Sequence, residues 1–508
     1  MLAFIVSQLA GLVRSILVAR AFGAGAELSA FFAANRVSET LFTLLAGGVL
    51  SSAFIPTFTT ALTKNDNKSA WRLASAVANL IIVILGLVAI LAAVFAPQIS
   101  RYLLVPGFAN DPVLLKLTVE LLRIQLGSVV IFALGGLVMG ILNAHQVFLI
   151  PALTPAMYQI GLIFGVLVLA PRMGIYGLAY GVIIGSILYL LLQVPTLIKH
   201  GARYSVTFGR KDASVAEVMR LMGPRIFGAA IVQLNFWVNI WLGSQMQDKG
   251  SVAALSYGFA LMMMAEGAIA QSIAIAAMPT LSAQYALGKL DDLRASLSTS
   301  LRGVILLALP AATGLILLRL PIVSLLFQRG EFTAHSTQLV AWALLWYAAG
   351  LIFHSILEVL ARAYYAMHDT RTPVLVGATA MGINVGLSFA FVALFNKLGW
   401  MPHGGLALAN TLATALETIT LIILMRKRLD GIQGKDLLKG AGAAVLGTLG
   451  MSTAIVLWLK YMQPYPAALT ALGGVAIGGI LYLLVMILLR VPEIHQVIQA
   501  IRRKLLHS

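Results

Sequence analysis

The chain has 508 residues, 60% of them hydrophobic and only 10% charged, where a soluble domain carries roughly 25% charged residues. That balance excludes an ordinary soluble enzyme and makes the number of ~20-residue apolar runs the useful count. The net charge of +17, from 35 Lys and Arg against 18 Asp and Glu, does not read as a nucleic-acid surface, because the basic residues sit in loops between apolar runs.

Fourteen apolar runs follow in chain order, at approximately 2–22, 30–60, 74–97, 117–142, 150–170, 175–198, 219–243, 252–284, 300–319, 337–365, 373–395, 404–425, 438–459 and 466–489. They are long and apolar throughout rather than alternating, which argues helices and not barrel strands. The expected fold is an all-α polytopic membrane protein with about 14 transmembrane helices. Met1 leads straight into apolar sequence without a basic n-region or a small-residue cleavage site, so the first span is expected to be retained. There is no cysteine, hence no disulfide framework, thiol chemistry or Cys-based metal site.

An even number of spans puts both termini on one side. The loops at 61–73, 143–149, 199–218, 285–302, 362–372 and 426–439, with the tail from Arg490, hold 21 Lys and Arg, including Arg426-Lys427-Arg428 and Arg502-Arg503-Lys504. The opposite loops hold seven, or nine with Arg20 and Arg319. The positive-inside rule makes the first set, and both termini, cytoplasmic.

The chain also resembles itself. Ile55-Pro56-Thr57-Phe58-Thr59 returns as Met278-Pro279-Thr280-Leu281-Ser282, Ala144 with Pro151 as Ala366 with Pro373, and Gly177-Leu178-Ala179 as Gly405-Leu406-Ala407. The offsets are 223, 222 and 228 residues. Two six-helix lobes in parallel pseudo-repeat follow, at 1–200 and 201–430, with 431–508 as an appended pair of spans and a basic cytoplasmic tail. Two lobes around a central pathway, one rocking against the other, is a transporter architecture.

Charged side chains inside spans are costly, at least ~2.5–3.5 kcal/mol near the bilayer centre, and so mark cavities or partners. Arg14 lies about mid-depth in span 1 and reads either as a cavity residue or as a snorkelling one. Arg36 and Glu39 in span 2 are three apart and share a face. They read either as an internal ion pair or as an anion-binding arginine tuned by Glu39. Span 7 carries Gln233, Asn235 and Asn239 between Trp237 and Trp241, amides that bond neighbouring helices or meet substrate. Arg220 and Arg225, flanking the helix-start signal Pro224, read as interfacial anchors or a phosphate contact. Glu266, Glu358 and Glu417 are single acids in spans 8, 10 and 12, each structural or an ion or proton site, with Glu266 the foremost candidate.

Gly161/Gly165, Gly181/Gly185 and Gly474/Gly478 have the spacing of helix–helix contacts. No histidine set has metal-ligand spacing, and there is no Walker A loop, nucleophile elbow or kinase signature. No cofactor is expected; any drive comes from membrane potential, an ion gradient or the substrate gradient.

Several stretches together carry a family resemblance. They are Gly11-Leu12-Val13-Arg14, Val18-Ala19-Arg20-Ala21-Phe22-Gly23-Ala24-Gly25, Ala53-Phe54-Ile55-Pro56, Pro106-Gly107-Phe108-Ala109 and Gly140-Ile141-Leu142-Asn143. Later come Leu326-Phe327-Gln328-Arg329-Gly330-Glu331-Phe332-Thr333 and Asp369-Thr370-Arg371-Thr372-Pro373-Val374. With these the chain resembles the MurJ (MviN) family, lipid II flippases of the multidrug/oligosaccharidyl-lipid/polysaccharide exporter superfamily. The resemblance implies fourteen spans, two lobes and an extra helix pair. It implies translocation by alternating access of an undecaprenyl-pyrophosphate-linked peptidoglycan precursor across the bacterial inner membrane, with no enzymatic step. In the family, cavity arginines meet the pyrophosphate; Arg14 matches one, and Arg36 falls where a basic residue is often found. Gln8 stands where arginine is usual, Ser29 where aspartate is, Phe42 and Ala260 where arginines are, so four usually charged positions are neutral here.

The expected substrate contacts are therefore Arg14, Arg36, Glu39, Gln8, Ser29 and Asn235, with Glu266 as ion or proton site. Expected partners are a lipid-linked glycan, membrane lipids and cell-wall synthesis proteins, with no nucleic acid, the chain itself being monomeric. A flippase for another lipid-linked oligosaccharide, an ion-coupled small-molecule exporter and a non-transporting scaffold of wall synthesis are the alternatives.

Overall fold

The structure is a computed structural model and describes residues 2–45, 48–64, 66–209, 212–462 and 465–493. The tail residues Arg502, Arg503 and Lys504, and the side chain of Arg225, lie outside the described residues. Among the described residues there are helices and no strands.

The first compact unit comprises residues 1–253 with 329–333. Its helices are α1 (Leu2–Phe22), α2 (Ala26–Leu45), α3 (Gly48–Thr63), α4 (Asn67–Val94), the short α5 (Ala96–Gln98), α6 (Pro112–Ala144), α7 (Leu149–Phe164), the short α8 (Ala170–Met173), α9 (Ile175–Leu191), the short α10 (Val194–Lys199) and α11 (Ala213–Ser244). The second unit comprises 254–328 and 334–508. It takes most of α12 (Ser251–Glu266), then α13 (Ser272–Ala286), α14 (Leu290–Leu317), α15 (Arg319–Phe327), α16 (Ala334–Ala366), α17 (Arg371–Lys397), α18 (His403–Arg428), α19 (Gly434–Tyr461) and α20 (Ala467–Leu488). The seventh expected span, α11, packs on α2 and α3 and so falls in the first unit, whereas the sequence repeat opens the second lobe with it.

Among the described residues eleven helices are long and apolar enough to cross a membrane, and twelve if the bent pair Ala213–Gly223 and Gly228–Ser244 is one span. The other two of the fourteen expected spans correspond to α1 and to α2 with α3. In span 2, residues 46 and 47 lie outside the described residues, and α2 and α3 are described separately. Glu27, Arg36 and Glu39 make α2 too polar to count, and α3, with Pro56 inside it, has only 16 residues. Span 8 changes its helical geometry part-way. A π-helical turn at Gly267–Gln271 separates α12 from α13, which carries Pro279. Span 5 likewise passes through a π turn at Gly165–Leu169.

Local chemistry accounts for the helix ends. Asp66 accepts from the Ser69 amide, Asp111 from those of Val113 and Leu114, and Asp212 from that of Ser214, each satisfying an orphan donor of a first turn. Gly23, at φ +63°, turns the chain from α1 to α2. A Cβ there would meet the Glu331 carbonyl, because the 329–333 segment lies against the end of α1, with the Glu331 amide donating to the Arg20 carbonyl at 3.0 Å. That contact explains why Gly330, also at positive φ, sits in the Leu326–Thr333 motif.

In the first unit α1 packs on α7, α7 on α9, and α2 on α6. The glycine spacings do what their pattern implies: a Cβ on Gly161 would lie 2.2 Å from the Gly185 Cα. An extended stretch after α10 runs along α4. The Asn79 amide donates to the Ser205 and Thr207 carbonyls at 3.3 and 2.7 Å, and the Ser75 hydroxyl accepts from the Ser205 amide at 3.1 Å. Non-helical backbone beside a span thus finds its hydrogen bonds on that span. In the second unit α16, α18 and α17 form one packed layer, and the appended pair α19 and α20 packs on α14 and α15. Its core there is Leu306, Leu318, Met451, Ile455, Tyr482 and Met486.

Candidate functional site

The polar residues of the first unit gather on α1, α2, α7 and α11. Arg14 is half-buried on α1; its guanidinium donates to the Ser15 hydroxyl at 3.1 Å, and that hydroxyl donates to the Gly11 carbonyl at 2.9 Å. On α2 the Arg36 Nη1 lies 2.9 Å from Glu39 Oε2, and the Asn35 amide donates to Glu39 Oε1 at 2.8 Å. The Arg36 guanidinium lies over the Phe236 ring of α11, 4.5 Å from its centroid, a cation–π contact. Its Nε is buried without a protein partner. One turn on, the Thr40 hydroxyl donates to the Arg36 carbonyl at 2.7 Å and accepts from the Trp237 indole at 2.9 Å, with Gln233 Oε1 3.3 Å away.

Across from these, the Tyr158 phenol of α7 lies within the field of both Arg14 and Glu39. Gln159, beside it, reaches α1 next to Gly11. The set therefore holds two guanidiniums against one carboxylate, with the Arg36–Glu39 pair only partly shielded, at 25% and 47% side-chain exposure. A net positive, partly open polar patch inside a membrane unit is suited to an anionic headgroup.

The other expected contacts divide. Gln8 is exposed on α1. Asn235 is 4% exposed and bonded by the Asn239 amide at 3.4 Å, so it faces protein more than an open surface. Ser29 is fully buried, and its hydroxyl accepts from the Ala253 amide at 3.1 Å, which ties it to the start of α12. Phe42 packs its ring on Phe132 of α6, centroids 5.6 Å apart. Asn35, Thr40, Tyr158, Gln159 and Phe236 are members of the cluster that sequence reasoning passed over. Only Asn35, one residue before Arg36, offered a local signal.

The family model described as lipid II flippase MurJ matches residues 18–476. The chain belongs to the MurJ family. A probable lipid II flippase MurJ of Vibrio cholerae is 31% identical over 507 residues, spanning 96% of this chain and 94% of that protein. The solved inward closed conformation of a lipid II flippase MurJ aligns with TM-score 0.81 and 26% identity over 96% of this chain and 98% of its own. An inward-facing multidrug resistance transporter of the MATE family, 16% identical, shares the fold with TM-score 0.71 over 84% of this chain and 96% of its own.

This MurJ-family chain has a second polar set, in its second unit. Glu266 closes α12 at the π turn and is 3% exposed, with the Gln271 amide 3.4 Å from its carboxylate. It senses Glu358 and Arg362 of α16, which are paired with each other through contacts of 2.7 and 3.1 Å. Glu417 of α18 lies at a cleft of about 210 Å³ walled by Leu375, Val376, Thr379, Ala380 and Ile383 of α17. The Tyr365 phenol senses Glu358, Glu417 and Arg362 together, so the three acids singled out from the sequence share one neighbourhood.

Proposed function

We propose that this chain translocates lipid II across the bacterial cytoplasmic membrane by alternating access, with Arg14 and Arg36 meeting the pyrophosphate. The observation that carries the reading is the match to lipid II flippases along nearly the whole chain, together with a net positive cluster inside a membrane unit. Translocation here is binding and release, with no bond made or broken. The headgroup exchanges water for the guanidiniums while the polyprenyl tail stays in lipid. Glu39 tempers the positive charge so that the pyrophosphate is released, and Phe236 holds the Arg36 plane. Gln8 extends the polar surface, and Glu266 serves as the ion or proton site of the second unit. On this reading the protein is a monomer with cytoplasmic termini, built as two six-span lobes with an appended pair, and it works beside the enzymes of wall synthesis. Reconstituted vesicles test it: the paired substitution Arg14→Ala with Arg36→Ala abolishes lipid II translocation, and unchanged translocation refutes the site.

A second reading is a flippase for another lipid-linked oligosaccharide. It is favoured by the neutral residues at Gln8, Ser29, Phe42 and Ala260, which leave fewer charges for a pyrophosphate-linked headgroup. Rescue of a bacterium depleted of its lipid II flippase separates the two, since only the first reading expects growth.

A further inference from the structure

The first unit carries a second, separate recess, between the α6 and α9 helices. It is a cleft of about 490 Å³ lined by Glu120, Arg123 and Ile124 of α6 with Met173, Tyr176 and Tyr180. We propose that it is a binding site for the zwitterionic headgroup of phosphatidylethanolamine, the phosphate on Arg123 and the ammonium on Glu120.

Glu120 and Arg123 are three apart on a helix, the spacing that pairs Arg36 with Glu39, yet they do not pair with each other. Arg123 uses its Nε to donate to the Ala93 carbonyl at 3.0 Å. Arg123 is exposed and lines the cleft, and among the described residues its two terminal nitrogens have no protein hydrogen-bond partner. Glu120 accepts from the Tyr176 hydroxyl through one oxygen. The other oxygen has only Lys116 at 3.9 Å, a side chain 77% exposed. A positive and a negative group thus line one cleft beside two tyrosines without pairing with each other.

Phosphate recognition by a guanidinium with free terminal nitrogens is a charge-assisted hydrogen bond. A primary ammonium satisfies a carboxylate by hydrogen bonding and the tyrosine faces by cation–π attraction. Only a lipid carrying both groups matches both ends. The depth fits as well: Ala93 is near the end of α4, Tyr176 at the start of α9, and tyrosines concentrate at membrane–water interfaces. This is the leaflet opposite the basic loops, the outer one by the positive-inside rule.

The test is native mass spectrometry of the delipidated full chain, titrated with phosphatidylethanolamine, phosphatidylcholine and phosphatidylglycerol of identical acyl chains. The expected result is a roughly tenfold preference for ethanolamine over choline, the size of one charge-assisted hydrogen bond. Glu120→Gln brings that ratio to parity. Arg123→Gln weakens all three lipids together. Equal binding of ethanolamine and choline lipids by the unmodified protein overturns the proposal without any variant. So does tighter binding of phosphatidylglycerol, or a preference that survives Glu120→Gln. The readout is headgroup binding at this cleft, so it stands or falls independently of lipid II transport.

Discussion

Arg36 and Glu39 meet at 2.9 Å on one face of α2, and neither is sealed from its surroundings. Removing the carboxylate leaves both guanidiniums of the cluster without a counter-charge. Between partly exposed groups such an attraction is worth about 0.2–1 kcal/mol, a few-fold in an equilibrium constant. Glu39→Gln is therefore expected to tighten lipid II binding several-fold and to slow its release. Arg36→Gln is expected to weaken binding. Lipid II affinity of the detergent-purified variants checks this; loss of affinity in both would make the pair scaffolding only.

The Thr40–Trp237 hydrogen bond joins α2 to α11 and sets the Phe236 ring under Arg36. Thr40→Val removes the acceptor and strands a half-buried indole N–H, at about 1–3 kcal/mol. Trp237→Phe strands no donor: it gives up the bond, about 1 kcal/mol, and the contacts of the deleted ring atoms, limited for a half-buried indole. Thermal unfolding in detergent should rank the two in that order. A reversed ranking would show that the indole packs rather than bonds.

Much of this fold was legible in the chain. Long, non-alternating apolar runs form helices in lipid, so span positions followed from composition, and Pro56 and Pro279, matched in the sequence, each lie inside a helix. The π turns at Gly165–Leu169 and Gly267–Gln271 were not legible, because an i→i+5 turn leaves no mark on an all-apolar pattern. Arg14, Arg36 and Glu39 announced themselves as charges out of place. Tyr158 and Gln159 did not, since their part in the cluster depends on the packing of α7 against α1. Ser29 misled for the reverse reason: a hydroxyl that looks available in sequence is spent on a backbone amide.

The α7–α9 contact offers a test of packing. At Gly161 an added Cβ would fall 2.2 Å from the Gly185 Cα, a backbone atom that cannot step aside. At Gly86, in α4, nothing lies within 4 Å. Gly161→Ala should destabilise by about 1–3 kcal/mol or more, while Gly86→Ala should be neutral or gain up to ~1 kcal/mol from helix propensity. Melting temperatures of the pair, measured in one detergent, should move in opposite directions or leave Gly86→Ala unmoved.

Asp369 ties the turn between α16 and α17 to the end of α18. The Thr372 amide and hydroxyl donate to its carboxylate at 3.0 and 2.7 Å, and Arg428 completes the contact. The Thr372 amide, more than the hydroxyl or Arg428, holds this carboxyl below its ordinary value. A depressed acid contributes stability that is present above its unfolded pKa, about 3.9, and is lost as pH falls through the lower folded value. Asp369→Asn should therefore melt below the parent at neutral pH, and the gap should close as pH drops below about 4. A gap independent of pH would assign the effect to geometry alone.

Among the described residues Arg362 is the guanidinium sensed beside Glu266, Glu358 and Glu417, and it is committed to Glu358. Removing it leaves Glu358 without its ion-pair partner and takes the guanidinium away from Glu266 and Glu417 in a membrane-embedded layer. Breaking a fully buried pair by deleting one member costs about 3–5 kcal/mol, whereas replacing both is often close to neutral; this pair, at 29% and 27% side-chain exposure, is expected to lose less. Arg362→Gln should accordingly be the most damaging single change in the second unit's polar set. Glu358→Gln should be mild, because the freed guanidinium can turn to Glu266. The double variant Glu358→Gln with Arg362→Gln should recover part of the loss seen in Arg362→Gln alone. A double-mutant cycle on thermal stability reads this directly: a coupling near zero would mean that the guanidinium is balanced by water or lipid rather than by Glu358.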